Sequence, residues 1–181
     1  MNALSDLHQR IDERVTSVRK AHPDWLCGKG CDTCCRQLAA LPQLTRAEWE
    51  WLREGLATLP SAQLTEIHRR IATLGLTPQP PVTCPLLDPA SGACPIYAHR
   101  PVACRTYGVY VQRDKGLHCA RIAAQVERGE LADVIWGNHL AVEDDLARLG
   151  EVRSLADWFS AVSPIGDEDA EAPTPERHPR K

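Results

Sequence analysis

The chain has 181 residues, 43% of them hydrophobic and 25% charged, with a formal net charge of −3 and 8 cysteines. This composition is typical of a folded globular protein, and it excludes a wholly disordered or fibrous chain. The small negative charge argues against a general nucleic-acid-binding surface. No apolar run approaches the roughly 18 residues that would cross a membrane.

The N-terminal segment has no basic stretch followed by an apolar core, so we expect no secretory signal and a cytoplasmic protein. A chain of this length can bury a hydrophobic core without disulfides. In a reducing compartment, several cysteines in one domain are more typical of metal or redox sites than of disulfides.

Two contrasting segments open the chain. Apolar residues at helical spacing predict an amphipathic helix over residues 4–20, with Ser5 as the cap near its start and Pro23 as its end. Residues 27–36 contain two glycines and show no apolar periodicity. That segment is predicted to be a loop that leads into a short helix.

A capping box marks the next helix. Thr45 and Glu48 occupy the two positions of the box, and Leu44 and Trp49 occupy those of a hydrophobic staple. Together they predict a helix that runs over residues 46–56.

The rest of the chain contains shorter elements. A helix over residues 61–74, ended by Gly75, completes a helical hairpin. Prolines exclude regular structure from most of residues 77–105, and residues 106–111 are then predicted to form a short strand. Three further helices are predicted, over residues 118–128, over residues 141–149 and from Ser154 onward.

We therefore expect a mainly α fold with a Cys-rich irregular metal-binding centre and one short β element. Residues 1–163 would form a single cysteine-cluster metal-binding domain whose Cys-rich core spans residues 27–119. Residues 164–181 are rich in proline and acidic residues and predict a disordered tail.

The cysteines fall in two sets outside the helical hairpin, and all eight are candidate metal ligands: Cys27, Cys31, Cys34 and Cys35, then Cys84, Cys94, Cys104 and Cys119. The Cys31-x-x-Cys34 spacing lets two thiolates reach one metal, although a redox dithiol has the same spacing. One or two of the eight would also suit the role of a small buried hydrophobe.

The adjacent residues Cys34 and Cys35 favour a division between two metals, or between a cluster and a supporting role. A strained vicinal disulfide is the remaining option. Four cysteines plus four suggest two four-ligand sites, or one cluster with additional ligands. The spacing does not say which thiols share a site.

The cysteine-rich middle of the chain is cationic. Residues 84–121 contain five basic and two acidic residues, whereas residues 130–171 contain eleven acidic and two basic ones. Cations stabilise nearby thiolates, so Arg100 and Arg105, which flank Cys104, are candidates for charge compensation, with structural pairing as the alternative.

Three histidines are weaker ligand candidates, because each is more often a surface or structural residue: His99, His118 and His139.

A series of motifs carries a family resemblance: Cys31-Asp-Thr-Cys34-Cys35, Cys84-Pro-Leu-Leu, Cys94-Pro-Ile-Tyr97, Arg100-Pro-Val-Ala-Cys104-Arg105 and Cys119. In this order they resemble the YkgJ-like cysteine-cluster proteins, also called the CxxCxxCC domain family. The chain departs from the family at Cys27, since three residues separate it from Cys31 where the family name implies two, and at Asp32, where glycine is common. The resemblance implies chelation of zinc or iron and settles no reaction.

We therefore expect a protein that chelates zinc or iron through clustered thiolates, the iron either as a single ion or as an iron–sulfur cluster. The alternative is a zinc-stabilised protein–protein interaction module without catalysis, whose partner protein would contact the acidic C-terminal third or the helical hairpin. A third hypothesis is thiol-redox or soft-metal handling through Cys34 and Cys35. The expected partners are a metal ion and, in the alternative, a protein, with no membrane and no nucleic acid.

Overall fold

The structure is a computed structural model that describes residues 2–74, 78–113 and 115–161. Within these residues the helices are α1 (Ala3–Ala21), α2 (Thr33–Arg36), α3 (Arg46–Leu56), α4 (Ser61–Leu74), α5 (Val102–Thr106), α6 (Ala120–Glu127), α7 (His139–Leu146) and α8 (Leu155–Ala161). The strands are β1 (Gln43–Thr45), β2 (Tyr110–Gln112), β3 (Lys115–Leu117), β4 (Gly137–Asn138) and β5 (Val152–Ser154). The expected mainly helical class is confirmed, and the short β elements are more numerous than the single one predicted.

Helix α1 confirms the predicted N-terminal helix but has a different cap. The side chain of Asn2, rather than that of Ser5, caps the helix by accepting a hydrogen bond from the backbone N–H of Ser5 at 2.8 Å. Asparagine is among the strongest N-cap residues, because its side-chain oxygen satisfies a helical N–H that has no partner in the helix. The apolar face of α1 is buried and includes Leu4, Leu7, Ile11 and Val18.

The predicted capping box of α3 is confirmed, and it reaches a second helix. One oxygen of the Glu48 carboxylate accepts hydrogen bonds from the N–H and the hydroxyl of Thr45, both at 2.9 Å. The other oxygen accepts the N–H of Val102, the first residue of α5, at 2.9 Å. Glu48 is only 2% exposed, so these bonds satisfy a buried carboxylate and fix α5 against α3.

The strands form two small sheets. β1 pairs with β5 in antiparallel orientation, while β2 lies between β3, to which it is antiparallel, and β4, to which it is parallel. The strand predicted over residues 106–111 is shorter and starts later, because Thr106 ends α5 and the chain turns at Gly108, whose φ is +91°. Strands of two or three residues show too little alternation for the sequence to reveal them.

Buried apolar side chains form two clusters. The α3–α4–α8 cluster is built around Leu44, Trp49, Leu52, Leu56, Ile67, Ile71, Leu155, Trp158 and Phe159. The α1–α6–α7 cluster is built around Leu7, Ile11, Val18, Val102, Val109, Ile122 and Val142. Cys84 and Cys94 pack against the first cluster, and Cys27 and Cys119 pack against the second. The cysteine-rich segments therefore contact both clusters.

The remaining expectations for the chain have mixed outcomes. The three C-terminal helices are confirmed with bounds shifted by a few residues, and Ser154 and Asp157 cap α8 as the sequence predicted. Gly75 and the tail over residues 164–181 lie outside the described residues. In the part of the chain that the structure describes, no helix has the length and apolar character needed to span a bilayer.

Candidate metal centre

The first cysteines lie on a turn and on a helix of a single turn. In residues 27–31, the N–H of Cys31 donates to the carbonyl of Gly28 at 3.0 Å, which closes the turn. Cys34 and Cys35 follow on α2. The loop that leads into a short helix, expected from the glycines, is confirmed.

Backbone hydrogen bonds hold the second cysteine-rich segment against the first. Leu38 and Val82 form an antiparallel bridge with N–H to carbonyl distances of 2.9 and 2.8 Å. Next to it, the N–H of Cys84 donates to the carbonyl of Cys35 at 2.6 Å. Cys84 thus lies beside the vicinal pair, although the helical hairpin separates the two in sequence.

Four cysteines, three from the first set and one from the second, line a cavity of about 10 Å³: Cys27, Cys31, Cys34 and Cys119. We call these the first thiol group. Cys119 reaches it because the chain folds back through the β2–β3 hairpin, where the N–H of Gly108 donates to the carbonyl of Leu117 at 2.6 Å. The thiol of Cys27 donates to the carbonyl of Tyr107 at 3.6 Å, which holds it at the same hairpin.

The other four cysteines, Cys35, Cys84, Cys94 and Cys104, are linked electrostatically, and Cys34 also influences three of them. We call these four the second thiol group. Burial raises the pKa of Cys84 to about 11, and the nearby Cys94 contributes to this rise. Burial also raises the pKa of Cys104, with contributions from Cys84 and Cys94. The two thiol groups differ from the two sets in the sequence at two positions. Cys35, from the first set, lies in the second thiol group, and Cys119, from the second set, lies in the first thiol group.

The vicinal pair joins the two groups and shares one proton. The Cys35 thiol donates a hydrogen bond to Cys34, which lowers the pKa of Cys34 to about 6 and raises the pKa of Cys35 above its usual range. Of the two thiols, Cys34 is therefore the one that loses its proton more readily, and the thiolate is the form that binds metals.

Gly108 allows the close approach between the hairpin and Cys27. A Cβ atom at this position would lie 2.9 Å from the Cys27 Sγ, and the φ of +91° disfavours any other residue. Sequence reasoning did not assign this residue to the site. Its signal was a glycine within a β-prone run, a pattern that often marks a close backbone approach.

The thiols of each group are neighbours rather than an assembled ligand shell. Among residues 2–74, 78–113 and 115–161, no three Cys, His, Asp or Glu side chains already converge on a point at which they could hold a metal ion. Binding a metal would therefore require rotation of the thiols between staggered rotamers toward a common point.

The model of the CxxCxxCC family, described as "Putative zinc- or iron-chelating domain", matches residues 26–130. The chain belongs to this family. The match includes all eight cysteines and confirms the resemblance drawn from their motifs. Comparison with curated proteins and with solved structures gave no match.

The donor set of this CxxCxxCC domain fits the metals in the family description. Thiolates are good ligands for zinc and for iron in iron–sulfur clusters. Burial raises the pKa of Cys27 to about 11 and also raises the pKa of Cys94, so both thiols carry protons at neutral pH without a metal. A bound metal would displace these protons.

The two arginines that flank Cys104 have different roles. The positive charge of Arg100 favours the thiolate forms of Cys94 and Cys104 and partly offsets their raised pKa values. Arg105 instead pairs with the carboxylate of Asp12 at 2.9 Å and donates to two backbone carbonyls. Of the two arginines, Arg100 is therefore the one that compensates the charge of the thiolates, whereas Arg105 links α5 to α1.

The three candidate histidines contact groups other than cysteine. The ring of His99 packs on Trp51 with centroids 4.5 Å apart, and that of His118 packs on Trp136 at 5.6 Å. His139 lies 3.8 Å from a glutamate carboxylate. These contacts favour structural roles for all three.

Proposed function

We propose that the chain binds two metal ions, zinc or iron, each through four thiolates. The first thiol group would hold one ion and the second thiol group the other, with Cys34 and Cys35 ligating different ions. The observation that carries this proposal is the cavity lined by Cys27, Cys31, Cys34 and Cys119, which leaves the other four thiols as a second, electrostatically linked set. Four thiolates complete the tetrahedral shell that zinc prefers in structural sites.

The surroundings of the thiols support a pair of closed, single-ion sites. The cavity inside the first thiol group, at about 10 Å³, is about the size of a single water-sized sphere, which favours one ion between these thiols. A shell closed by four thiolates leaves no position for a reactive water, so the metal would stabilise the fold rather than hydrolyse a substrate. It would also cross-link proline-rich backbone that lacks its own regular hydrogen bonding.

Metal analysis of one cysteine variant from each group tests the proposal. Cys31→Ser removes a ligand from the first thiol group, and Cys94→Ser removes one from the second. We expect two metal ions per chain in the wild type, about one in each variant and none in the double variant. Ser160→Ala, an exposed change on α8, should retain both ions.

The same samples, purified with and without oxygen, identify the metal. Colourless protein with stoichiometric zinc from both preparations would exclude an iron–sulfur cluster. Visible absorption together with acid-labile sulfide would instead establish a cluster and refute two single-ion sites. Loss of all metal from either single variant would mean that the eight thiols form one shared centre.

A further inference from the structure

A cleft of about 1030 Å³ lies between α1 and the cysteine-rich segments. Its volume is at the upper end of the roughly 300–1,000 Å³ that small-molecule sites occupy. One wall is the polar face of α1, with Asp12 and Lys20 among its residues, and the opposite wall includes Trp51, Tyr97 and Val109. The cleft thus combines a charged wall with an aromatic and apolar one.

The cleft reaches both thiol groups. Cys27, from the first thiol group, and Cys104, from the second, both line it. Cys27 also lines the small cavity of the first thiol group, so the cleft and that cavity share one side chain. A molecule in the cleft would therefore lie against both halves of the centre.

The cleft has an excess of positive charge. Three of its cations form no ion pair within the part of the chain that the structure describes: Arg19, Lys20 and Arg100. Of its two carboxylates, that of Asp12 is already paired with Arg105, and that of Glu13 accepts the side-chain amide of Gln9 at 2.9 Å. A concave surface with this balance concentrates anions.

The three cations differ in their other contacts. Arg19 donates to the carbonyl of Cys27 at 2.7 Å, and Arg100 favours the thiolates of the second thiol group. Lys20 is exposed on α1 and has no such contact among the described residues. It is therefore the cation whose charge is most available to a ligand.

His8 and Trp51 both line the cleft. His8 is 8% exposed, and burial, followed by the charge of Arg105, lowers its pKa to about 4, so its ring is neutral at pH 7. Within the described residues, neither the Nε2 of His8 nor the Nε1 of Trp51 has a hydrogen-bond partner, and the two ring centroids are 5.9 Å apart. Both nitrogens are closed to solvent, so these residues offer a ligand the surface of their rings rather than hydrogen bonds.

We infer that the cleft binds a small organic anion with an apolar body, beside the cysteine centre. The negative group would be attracted by Lys20 and the two arginines, and the apolar body would pack on Trp51 and Val109. The inference rests on the proposed function only in taking the neighbouring centre to contain metal.

Two fluorescent probes with the same aromatic body test the charge preference. The anion is 1-anilinonaphthalene-8-sulfonate, and N-phenyl-1-naphthylamine lacks its sulfonate. In titrations of the metal-loaded full chain, we expect one saturable site at which the anion binds at least about tenfold more tightly. Lys20→Gln should weaken binding of the anion about fivefold and leave the neutral probe unaffected. Lys115→Gln, an exposed lysine on β3 away from the cleft, should change neither.

A cobalt(II)-loaded sample tests the position beside the centre. Thiolate-bound cobalt absorbs visible light, so an anion that contacts the centre should shift this band as the cleft fills. Saturable binding without a spectral shift would overturn the placement beside the centre. Equal affinity for both probes, or an unchanged affinity in Lys20→Gln, would overturn the inference while metal content measured on the same samples still supports the proposed function. Lys20-dependent binding to a chain that takes up no metal would support the cleft and refute the proposed function.

Discussion

Replacement of Glu48 by glutamine should destabilise the protein far more than a surface change on the same helix. Glu48 is a buried carboxyl group that accepts three hydrogen bonds at 2.9 Å, and no cation bonds to it among the residues that the structure describes. Two of its donors are backbone N–H groups, at the N-cap of α3 and the first residue of α5. Helix N-termini favour a negative group, because their N–H groups point outward and the helix dipole is positive there.

The magnitude follows from these contacts. Glutamine has one acceptor oxygen, so its NH₂ group must face either Thr45 or Val102 and leave one N–H without a partner. A hydrogen bond to a charged group contributes about 1.5–3 kcal/mol. We therefore expect Glu48→Gln to lower the free energy of unfolding by about 2–3 kcal/mol. The matched change Glu50→Gln, at an exposed position of α3 whose distance to Arg46 is 3.8 Å, should cost less than about 0.5 kcal/mol.

Urea denaturation followed by tryptophan fluorescence measures both values, with the metal content determined before each titration. Because Val102 begins the helix that carries Cys104, Glu48→Gln should also weaken metal binding at the second thiol group before the first. An unfolding free energy for Glu48→Gln equal to that of Glu50→Gln would refute the reasoning, since the buried carboxylate would then contribute nothing.

Three further predictions concern Gly108, His8 and the proposed metals. Gly108→Ala should lower the free energy of unfolding by about 2–3 kcal/mol and reduce metal binding at the first thiol group. Gly129 also has a positive φ, of +73°, but open space around it, so Gly129→Ala should show only the cost of the backbone conformation. Equal effects of the two variants on metal content would contradict this. The lowered pKa of His8 makes protonation unfavourable in the folded state, so its contribution is fully present above pH 6.5 and is lost as the pH falls toward 4. Wild type should therefore lose about 3 kcal/mol more than His8→Gln across that range in urea titrations, and parallel pH profiles would argue against it. Removal of metal by a chelator should lower the unfolding temperature by several degrees in thermal scans, and an unchanged temperature would mean that the thiols hold no stabilising ion.

The strongest local signal in the sequence predicted its element correctly, whereas contacts between distant residues could not be predicted. The box formed by Thr45 and Glu48 is a pattern of neighbouring residues, so it predicted α3 to the residue. The bond from Glu48 to Val102 joins residues far apart in the chain, and no local pattern encodes it. The same limit explains why the two sets of cysteines were visible in sequence but the pairing of Cys119 with the first set was not.

The turn at Gly108 shows a different limit. The β-prone residues around it predicted a strand from Thr106, but α5 extends to that residue and the strand starts only at Tyr110. Tertiary contacts decided the outcome, since the hairpin must bring Cys119 back to Cys27. Propensity over a six-residue window is too weak to oppose such contacts.

The attachment of each thiol group to a different hydrophobic cluster has a mechanical consequence. Cys27 and Cys119 pack against the α1–α6–α7 cluster, and Cys84 and Cys94 pack against the α3–α4–α8 cluster. The shortest covalent connection between the two proposed ion sites is the peptide link from Cys34 to Cys35, about 3.8 Å from Cα to Cα. With both sites filled, a movement of one hydrophobic cluster relative to the other would be transmitted through that link. It would then displace ligands of both ions. The occupancy of one site would then respond to how well the opposite half is packed.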